Sequence, residues 1–437
     1  MIETLRTWRL LRSLRSSSTR SPEDLTELQE ELLRTAVANA YENVPFYRRV
    51  WDEKEFDPAC FRGLGDLVRM PIVGGRELKE AAKQGEFLAR GVKLSRCVKF
   101  PTSGWSGAPL EIWRSPLEQR LWRAAGLRVL FEHGFRWRDA TVQFDAPPAR
   151  PHFLQRLGIS RTTWIPSTLP IDQELDTFIE ASANVVVGTP TVLRRVCGAL
   201  ETTRRKWTQP RIVFCQGEVL DAETRRTVKR VLGADPLSLY GLTELGYVAW
   251  QCEERHWMHV NADLFLVEVL RDGRPASPGE LGTIVVTDLR GRSMPLLRYD
   301  TGDLAIAAAG KCPCARRLPV LGTIEGRAQA SALLADGRIV TTRAIVDHLA
   351  GSLPLDEYRL HQETPKRFRL TLAPSAVADG GVATDRSPVR IDNGVTVRRL
   401  RELLGDVEIS IDLASSRQSE GGHKTHAISS AVPIQVR

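Results

Sequence analysis

The stretch Leu239-Tyr240-Gly241-Leu242-Thr243-Glu244-Leu245-Gly246 decides how this chain is read. It follows a strand-like apolar run and leads into Val248-Ala249-Trp250. An aromatic face, two glycines, a hydroxyl and a carboxylate in one turn suit a ligand that is flat and charged. The same composition also makes an ordinary helix start, in which Thr243 would cap the first turn. What separates the two readings is the set of segments that accompany the stretch, and their order.

Those segments are Thr102-Ser103-Gly104-Trp105-Ser106-Gly107, Arg298-Tyr299-Asp300-Thr301-Gly302-Asp303 and Gly326-Arg327. Asn43-Val44-Pro45-Phe46-Tyr47-Arg48 precedes them, Gly217-Glu218 stands before the central stretch, and Gly421-Gly422-His423-Lys424 lies near the end. In this order they resemble the adenylate-forming superfamily, which activates carboxylates with ATP, and within it the phenylacetate-CoA ligase-like branch. The resemblance covers nearly the whole chain. It implies an α/β fold: a large N-terminal domain with parallel-rich sheets and helices, residues 1–325, and a small mobile C-terminal α+β domain, residues 326–437.

The resemblance also implies a reaction. A carboxylate and ATP give an acyl-adenylate and pyrophosphate, and the acyl group then passes to the thiol of CoA. An amine or a carrier-protein thiol is the alternative acceptor, and a nucleotide-binding homologue that has lost catalysis is the alternative from another class. Tyr240, beside Gly241, would stack on adenine, Thr243 would contact the α-phosphate, and Glu244 would help hold Mg²⁺, a hard cation suited to a carboxylate. Asp303 would accept hydrogen bonds from both ribose hydroxyls, and Arg327 would contact the nucleotide near the hinge. Gly217 and Glu218 would line the carboxylate and adenine pockets. Lys424 would reach into the active site and stabilise the adenylation transition state.

In Thr102 to Gly107 the chemistry is also readable from the residues. After the strand Val98-Lys99-Phe100, Gly104 and Gly107 let backbone N–H groups approach phosphate oxygens, and the hydroxyls of Thr102, Ser103 and Ser106 add donors. The loop departs from the family pattern at Trp105, where a small hydroxyl residue is usual, and at Ala108, where lysine is common. After Gly326-Arg327 the run Ala328-Gln329-Ala330-Ser331 lacks the acid on which the family pivots between its two half-reactions.

A second constellation is Cys252 and His259, spaced Cys-x6-His, followed by the pair Cys312 and Cys314. Three thiolates and an imidazole suit tetrahedral Zn²⁺, and four protein ligands make a closed, structural site. His256 is the alternative nitrogen ligand, and four unrelated residues the alternative to a site.

Composition bounds the rest. With 437 residues, 42% hydrophobic and 26% charged, the chain can bury a large core. A net charge of +8, from 61 basic against 53 acidic residues, fits an anionic nucleotide, and no motif points to nucleic acid. No apolar run reaches the ~20 residues of a membrane span. Seven cysteines, an odd number, make a poor disulfide framework and fit a reducing cytoplasm. A small carboxylic acid, ATP and CoA or another acyl acceptor are the expected partners, with a homodimer left open. The acid itself is not legible: ten tryptophans accommodate an aryl acid but serve cores as readily.

Periodicity and capping predict helices over Leu5–Leu14, from Ser21-Pro22 to Tyr41, and over Arg76–Gln84, Glu118–Phe131, Val192–Glu201, Thr342–Leu349 and Val395–Leu404. Pro45 and Tyr47 read as an extended elbow. Short apolar runs at Thr141–Phe144, Thr163–Ile165, Asn184–Val187 and Ile212–Phe214, alternating with helices, predict parallel sheet. Further strands are expected at Thr283–Thr287, Glu357–Gln362, Arg367–Leu372 and Val407–Ile411, with a Gly- and Pro-rich loop over Pro374–Asp392.

Overall fold

The computed structural model describes residues 2–101, 110–145, 155, 158–203, 205–350, 358–372, 393–413, 428–434 and 436. The chain divides into two compact units, the first formed by Met1–Phe135, Leu237–Thr323 and Val436–Arg437, the second by Arg136–Pro236 and Ile324–Gln435.

In the first unit, helix α1 (Ile2–Ser17) buries Leu11 and Leu14 and packs along a later helix of the same unit. Helix α2 (Pro22–Asn43) starts as its sequence dictates: Ser21 Oγ accepts the Asp24 N–H at 3.0 Å, and Pro22 opens the first turn. The expected elbow is instead helix α3 (Pro45–Glu53), because proline at the first helical position starts a helix as readily as it extends a chain. The helix buries Phe46, Tyr47, Val50 and Trp51, and Tyr47 Oη both donates to the Pro295 carbonyl and accepts from the Leu297 N–H, each at 2.9 Å. Helix α4 (Gly75–Lys83) and helix α5 (Pro116–Glu132) follow, and α1 lies along α5.

Beside the two-stranded pair Val98–Pro101 and Glu111–Arg114, two larger sheets complete this unit. One runs in the order Val73–Gly74, Tyr299–Ile306, Leu281–Asp288, Phe265–Arg271, Arg274–Pro275, antiparallel apart from the short first strand. In the other, Leu237–Leu242, Gly246–Gln251, Met258–Val260 and Val320–Leu321 are antiparallel neighbours.

The second unit holds the parallel pairing that the alternating pattern predicted. Thr162–Ile165, Thr141–Phe144, Val185–Gly188 and Ile212–Gln216 lie side by side in that order, all parallel. Helices α6 (Ile171–Ala181), α7 (Pro190–Thr202) and α8 (Ala222–Leu232) supply apolar faces to their core, which includes Phe144, Phe178, Leu193, Val213 and Val228. The unit's later segment has helices α9 (Thr342–Leu349) and α10 (Asn393–Leu404). Its sheet has the order Glu408–Leu413, Arg367–Leu372, Tyr358–Thr364, Ile428–Ser430, with Phe368, Leu370, Ile345 and Leu400 in the core. The predicted loop at Pro374–Asp392 lies outside the described residues. Among the described residues no helix is long and apolar enough to cross a membrane, and all seven cysteines are free.

Candidate functional site

The central stretch folds as a β-hairpin and not as a helix start. Leu237–Leu242 pairs with Gly246–Gln251, and a register shift between Tyr240 and Gly241 bends the first strand where the motif begins. Both glycines have a packing reason. A Cβ on Gly241 would sit 2.7 Å from the Gly246 carbonyl oxygen, and Gly246 has φ +80° with the Trp122 indole where its side chain would go. Trp122 Nε1 donates to the Leu245 carbonyl, so α5 grips the turn that presents Thr243 and Glu244.

Arg114, at the end of the strand Glu111–Arg114, holds the same turn from another side. Its Nη2 donates to the Thr243 carbonyl at 3.1 Å, and its guanidinium lies 3.4 Å from the Trp122 ring centroid. Burial lowers its pKa to about 10, against the pull of the Asp288, Glu118 and Glu244 carboxylates. Its Nη1 has no hydrogen-bond partner among the described residues, and the group borders a cavity of about 40 Å³ lined also by Trp122, Glu244 and Asp288. That volume has room for a water. Neither Arg114 nor Trp122 was singled out from the sequence. The available signal was an arginine on the buried face of a strand whose burial alternates residue by residue.

Asp303, expected to take the ribose, is 7% exposed on the strand Tyr299–Ile306. Tyr240 Oη donates to its Oδ2 at 2.9 Å and lies 3.3 Å from Thr301 Oγ1, which accepts the Asp303 N–H at 3.1 Å. Glu244 Oε1 accepts from Tyr299 Oη at 3.0 Å. Two hydrogen-bonded pairs within the first unit, Tyr240 with Asp303 and Tyr299 with Glu244, thus tie the hairpin that carries Gly241 and Thr243 to the strand Tyr299–Ile306. Tyr299 stood in the quoted motif without a role. Arg298, at φ +48°, is structural: its guanidinium bonds both Glu268 oxygens at 3.1 and 2.9 Å and the Val68 and Met70 carbonyls. Asp300 Oδ1 accepts the Gly302 N–H within the turn.

Other expected residues belong to the second unit. Gly217 adopts φ +80°, and Glu218 Oε2 accepts both the backbone N–H (3.1 Å) and the hydroxyl (2.7 Å) of Thr191 in the first turn of α7. Arg327 ends the strand Ile324–Arg327, and its carbonyl accepts Ser331 Oγ at 2.8 Å. Before it, Gly326 at φ +100° leaves space that Thr342 occupies, and Glu325 Oε2 accepts from Thr341 Oγ1 at 2.6 Å. Arg343 and Asp347 of α9 reach the Leu220 carbonyl and the Ala222 N–H, tying this segment to α8. Thr102, Ser103, Gly104, Ser106, Gly107 and Lys424 lie outside the described residues.

The cysteine and histidine set comes together in the first unit. One ligand atom from each of Cys252, His259, Cys312 and Cys314 lies within 4.8 Å of the others. Cys252 Sγ is 3.5 Å from Cys312 Sγ, and Cys314 Sγ is 3.2 Å from His259 Nε2. Bonds of about 2.3 Å to sulfur and 2.0 Å to nitrogen put tetrahedral edges at roughly 3.5–3.8 Å, close to these separations. Burial lowers the His259 pKa to about 4, so at neutral pH its ring is uncharged and able to ligate. Burial and the neighbouring sulfurs push the Cys252 thiol up to about 12, the expected cost of gathering thiolates without a cation. The residues therefore fit zinc. His256 is exposed and outside the cluster, so His259 is the imidazole placed among the three thiols. Arg316 braces the site, bonding Glu132 and Glu253 with its guanidinium 5.2 Å from the Trp250 ring centroid.

No protein-family model matches the chain. The phenylacetate-coenzyme A ligase of Thermus thermophilus is 29% identical to it over 435 residues, covering 92% of this chain and 95% of that protein. The phenylacetate-coenzyme A ligase of Pseudomonas putida is 26% identical over 326 residues, 71% of this chain and 72% of that protein. Among solved structures, 2-hydroxyisobutyryl-CoA ligase in the postadenylation state with 2-HIB-AMP matches with a TM-score of 0.74 at 20% identity, covering 92% of this chain and 88% of that one. The chain is thus a sequence homologue, over nearly its full length, of the Thermus thermophilus phenylacetate-coenzyme A ligase, and it shares the fold of the 2-hydroxyisobutyryl-CoA ligase.

Proposed function

We propose that the protein is an AMP-forming acid–thiol ligase that joins a carboxylic acid to AMP at the expense of ATP and then passes the acyl group to CoA. The observation that carries this reading is the two hydrogen-bonded pairs at one hairpin, Tyr240 with Asp303 and Tyr299 with Glu244, in a chain aligned over almost its whole length with a phenylacetate-coenzyme A ligase. Adenylation is mainly a problem of position and charge: the carboxylate oxygen must reach the α-phosphorus while negative charge accumulates there. In this reading Asp303 accepts from the ribose hydroxyls, the Tyr240 ring lies against adenine beside Gly241, and Thr243 bonds the α-phosphate. Glu244 would hold Mg²⁺, which when bound offsets phosphate charge. Thr102, Ser103, Gly104, Ser106 and Gly107 cradle the outer phosphates, Gly217 and Glu218 line the pocket, and Arg327 contacts the nucleotide.

Residues 326–437 act as the smaller mobile domain, and its Lys424 brings an ammonium to the reacting oxygens. Cys252, His259, Cys312 and Cys314 hold a structural zinc. Seven free thiols suit a reducing cytoplasm. The turn Ala328–Ala330 with Ser331 supplies no acid, which supports a second reading in which an amine or carrier-protein thiol accepts the acyl group.

Acid-dependent exchange of labelled pyrophosphate into ATP tests the first half-reaction, and product analysis with CoA or amines identifies the acceptor. Lys424→Ala is expected to slow adenylation roughly 10²-fold, the scale of one lost electrostatic stabiliser, while ATP binding persists. Absence of exchange with every acid tried, alongside normal ATP binding, would leave a nucleotide-binding homologue.

A further inference from the structure

Two phenol–carboxylate pairs cross between the same two segments in opposite senses. Tyr240 of the strand Leu237–Leu242 donates to Asp303 of the strand Tyr299–Ile306, at 2.9 Å. Tyr299, the first residue of that second strand, donates back to Glu244 in the turn that follows the first, at 3.0 Å. Each segment thus supplies the donor for the other's carboxylate. The two carboxylates are those expected to meet the ribose and the divalent cation.

The chemistry of the donor matters. Elsewhere in this unit Asp263, Glu268 and Glu132 are bound by the guanidinium groups of Arg128, Arg298 and Arg316, at 2.8, 2.9 and 2.9 Å. A guanidinium orients a carboxylate and also cancels its charge. A phenol orients it and leaves the charge in place, at the cost of a single hydrogen bond. A carboxylate that must accept from two hydroxyls, or ligate a hard cation, needs a fixed rotamer and a full negative charge. The Asp303 side has a further anchor, because Thr301 Oγ1 accepts the Asp303 N–H at 3.1 Å and donates to the Ile284 carbonyl at 2.9 Å. All three tyrosine and aspartate side chains are 7% exposed, so their orientations are set by packing as well as by bonding.

We infer that the hydroxyls of Tyr240 and Tyr299 are positioning groups, the first aiming Asp303 at the ribose diol and the second aiming Glu244 at the divalent cation. The inference rests on the ligase reading above and adds a division of labour that neither family resemblance nor ring stacking requires. Tyr240 then has two separable parts: a ring that faces the base and a hydroxyl that acts through Asp303.

The test uses Tyr240→Phe and Tyr299→Phe in the full chain, with thermal melting to verify folding. Calorimetry measures affinity for ATP and for 2′,3′-dideoxy-ATP, each across a series of Mg²⁺ concentrations. Tyr240→Phe should weaken ATP several-fold, the scale of about 1 kcal/mol for one hydrogen bond, and leave dideoxy-ATP unchanged. In the double variant with Asp303→Ala the Tyr240→Phe effect should vanish, as coupling through one partner demands. Tyr299→Phe should move the Mg²⁺ requirement several-fold higher and keep the ratio between the two nucleotides. Equal weakening of both nucleotides by Tyr240→Phe, or an unchanged Mg²⁺ requirement in Tyr299→Phe, overturns the inference and leaves the ligase reading standing. A wild-type protein that binds no ATP overturns both.

Discussion

The strand Gly246–Gln251 has a different kind of site at each end. Before it stands the Thr243-Glu244-Leu245 turn, held by an indole N–H, a guanidinium and a phenol, and beside a small cavity. After it comes Cys252, the first of four side chains whose donor atoms lie within 4.8 Å of one another. Six residues separate the ends by about 20 Å at the usual rise of a strand. At the turn, glycines bring backbones close, and Glu244 accepts from the neutral Tyr299 phenol. The cysteine and histidine end gathers three thiols and an imidazole at distances that a tetrahedral cation would span.

Between the ends lies a buried network that links the strand to the helices. Trp250 Nε1 donates to Asn261 Oδ1 at 3.0 Å, and Arg128 Nη2 donates to the same oxygen at 2.6 Å. Arg128 Nη1 reaches Asp263 and the Leu14 carbonyl, and Asn261 Nδ2 donates to the Tyr247 carbonyl. Arg128 is completely buried, so its ion pair serves as a fixed joint among α1, α5 and the strand.

The largest effect is expected at the metal end. Cys312→Ser/Cys314→Ser should lose zinc by elemental analysis and melt far lower, since a structural zinc contributes on the order of 10 kcal/mol. Full zinc retention in this variant would remove the contrast between the two ends. Next comes the joint: Arg128→Met leaves Asp263 buried without its cation and should cost about 3–5 kcal/mol in denaturant unfolding. ATP affinity per folded molecule should hold; a parallel loss of affinity would show that the joint and the nucleotide end are not independent.

At the nucleotide end, Asp303→Ala should weaken ATP binding by about 10–10²-fold, the scale of two charge-assisted hydrogen bonds, with zinc content unchanged. Unaltered calorimetric affinity would withdraw the ribose assignment. A reference point lies in the other unit. Glu174 is fully buried beside Arg195, and its carboxyl is pushed up to about 7, chiefly by burial. Between about pH 4.5 and about 7 the native carboxyl keeps a proton that the unfolded chain has released, so stability falls as pH rises through that window. Glu174→Gln should flatten that slope and leave both ends of the strand unaffected. An unchanged pH slope in denaturant midpoints would place the ionised carboxylate in the native state.

What the sequence determined by itself is local or contiguous. Ser21 before Pro22, and Ser115 before Pro116 with Glu118 three residues on, set helix starts through bonds that span three residues. The apolar runs at Thr141, Thr163, Asn184 and Ile212 alternate with helices and became neighbouring parallel strands, because short crossovers leave few other arrangements. The central stretch was legible as a turn because its glycines, hydroxyl and carboxylate all fall within Gly241–Gly246. What only the tertiary structure decided is which distant side chains meet. Tyr240 and Asp303 are 63 positions apart, and Tyr299 and Glu244 are 55 apart. Whether a phenol reaches a carboxylate over such a span depends on sheet register, and a slip of one residue would turn it to the opposite face. The choice of His259 over His256 and the grip of Arg114 and Trp122 on the hairpin have the same cause. Burial and pairing belong to the packed chain, and residue type alone does not specify them.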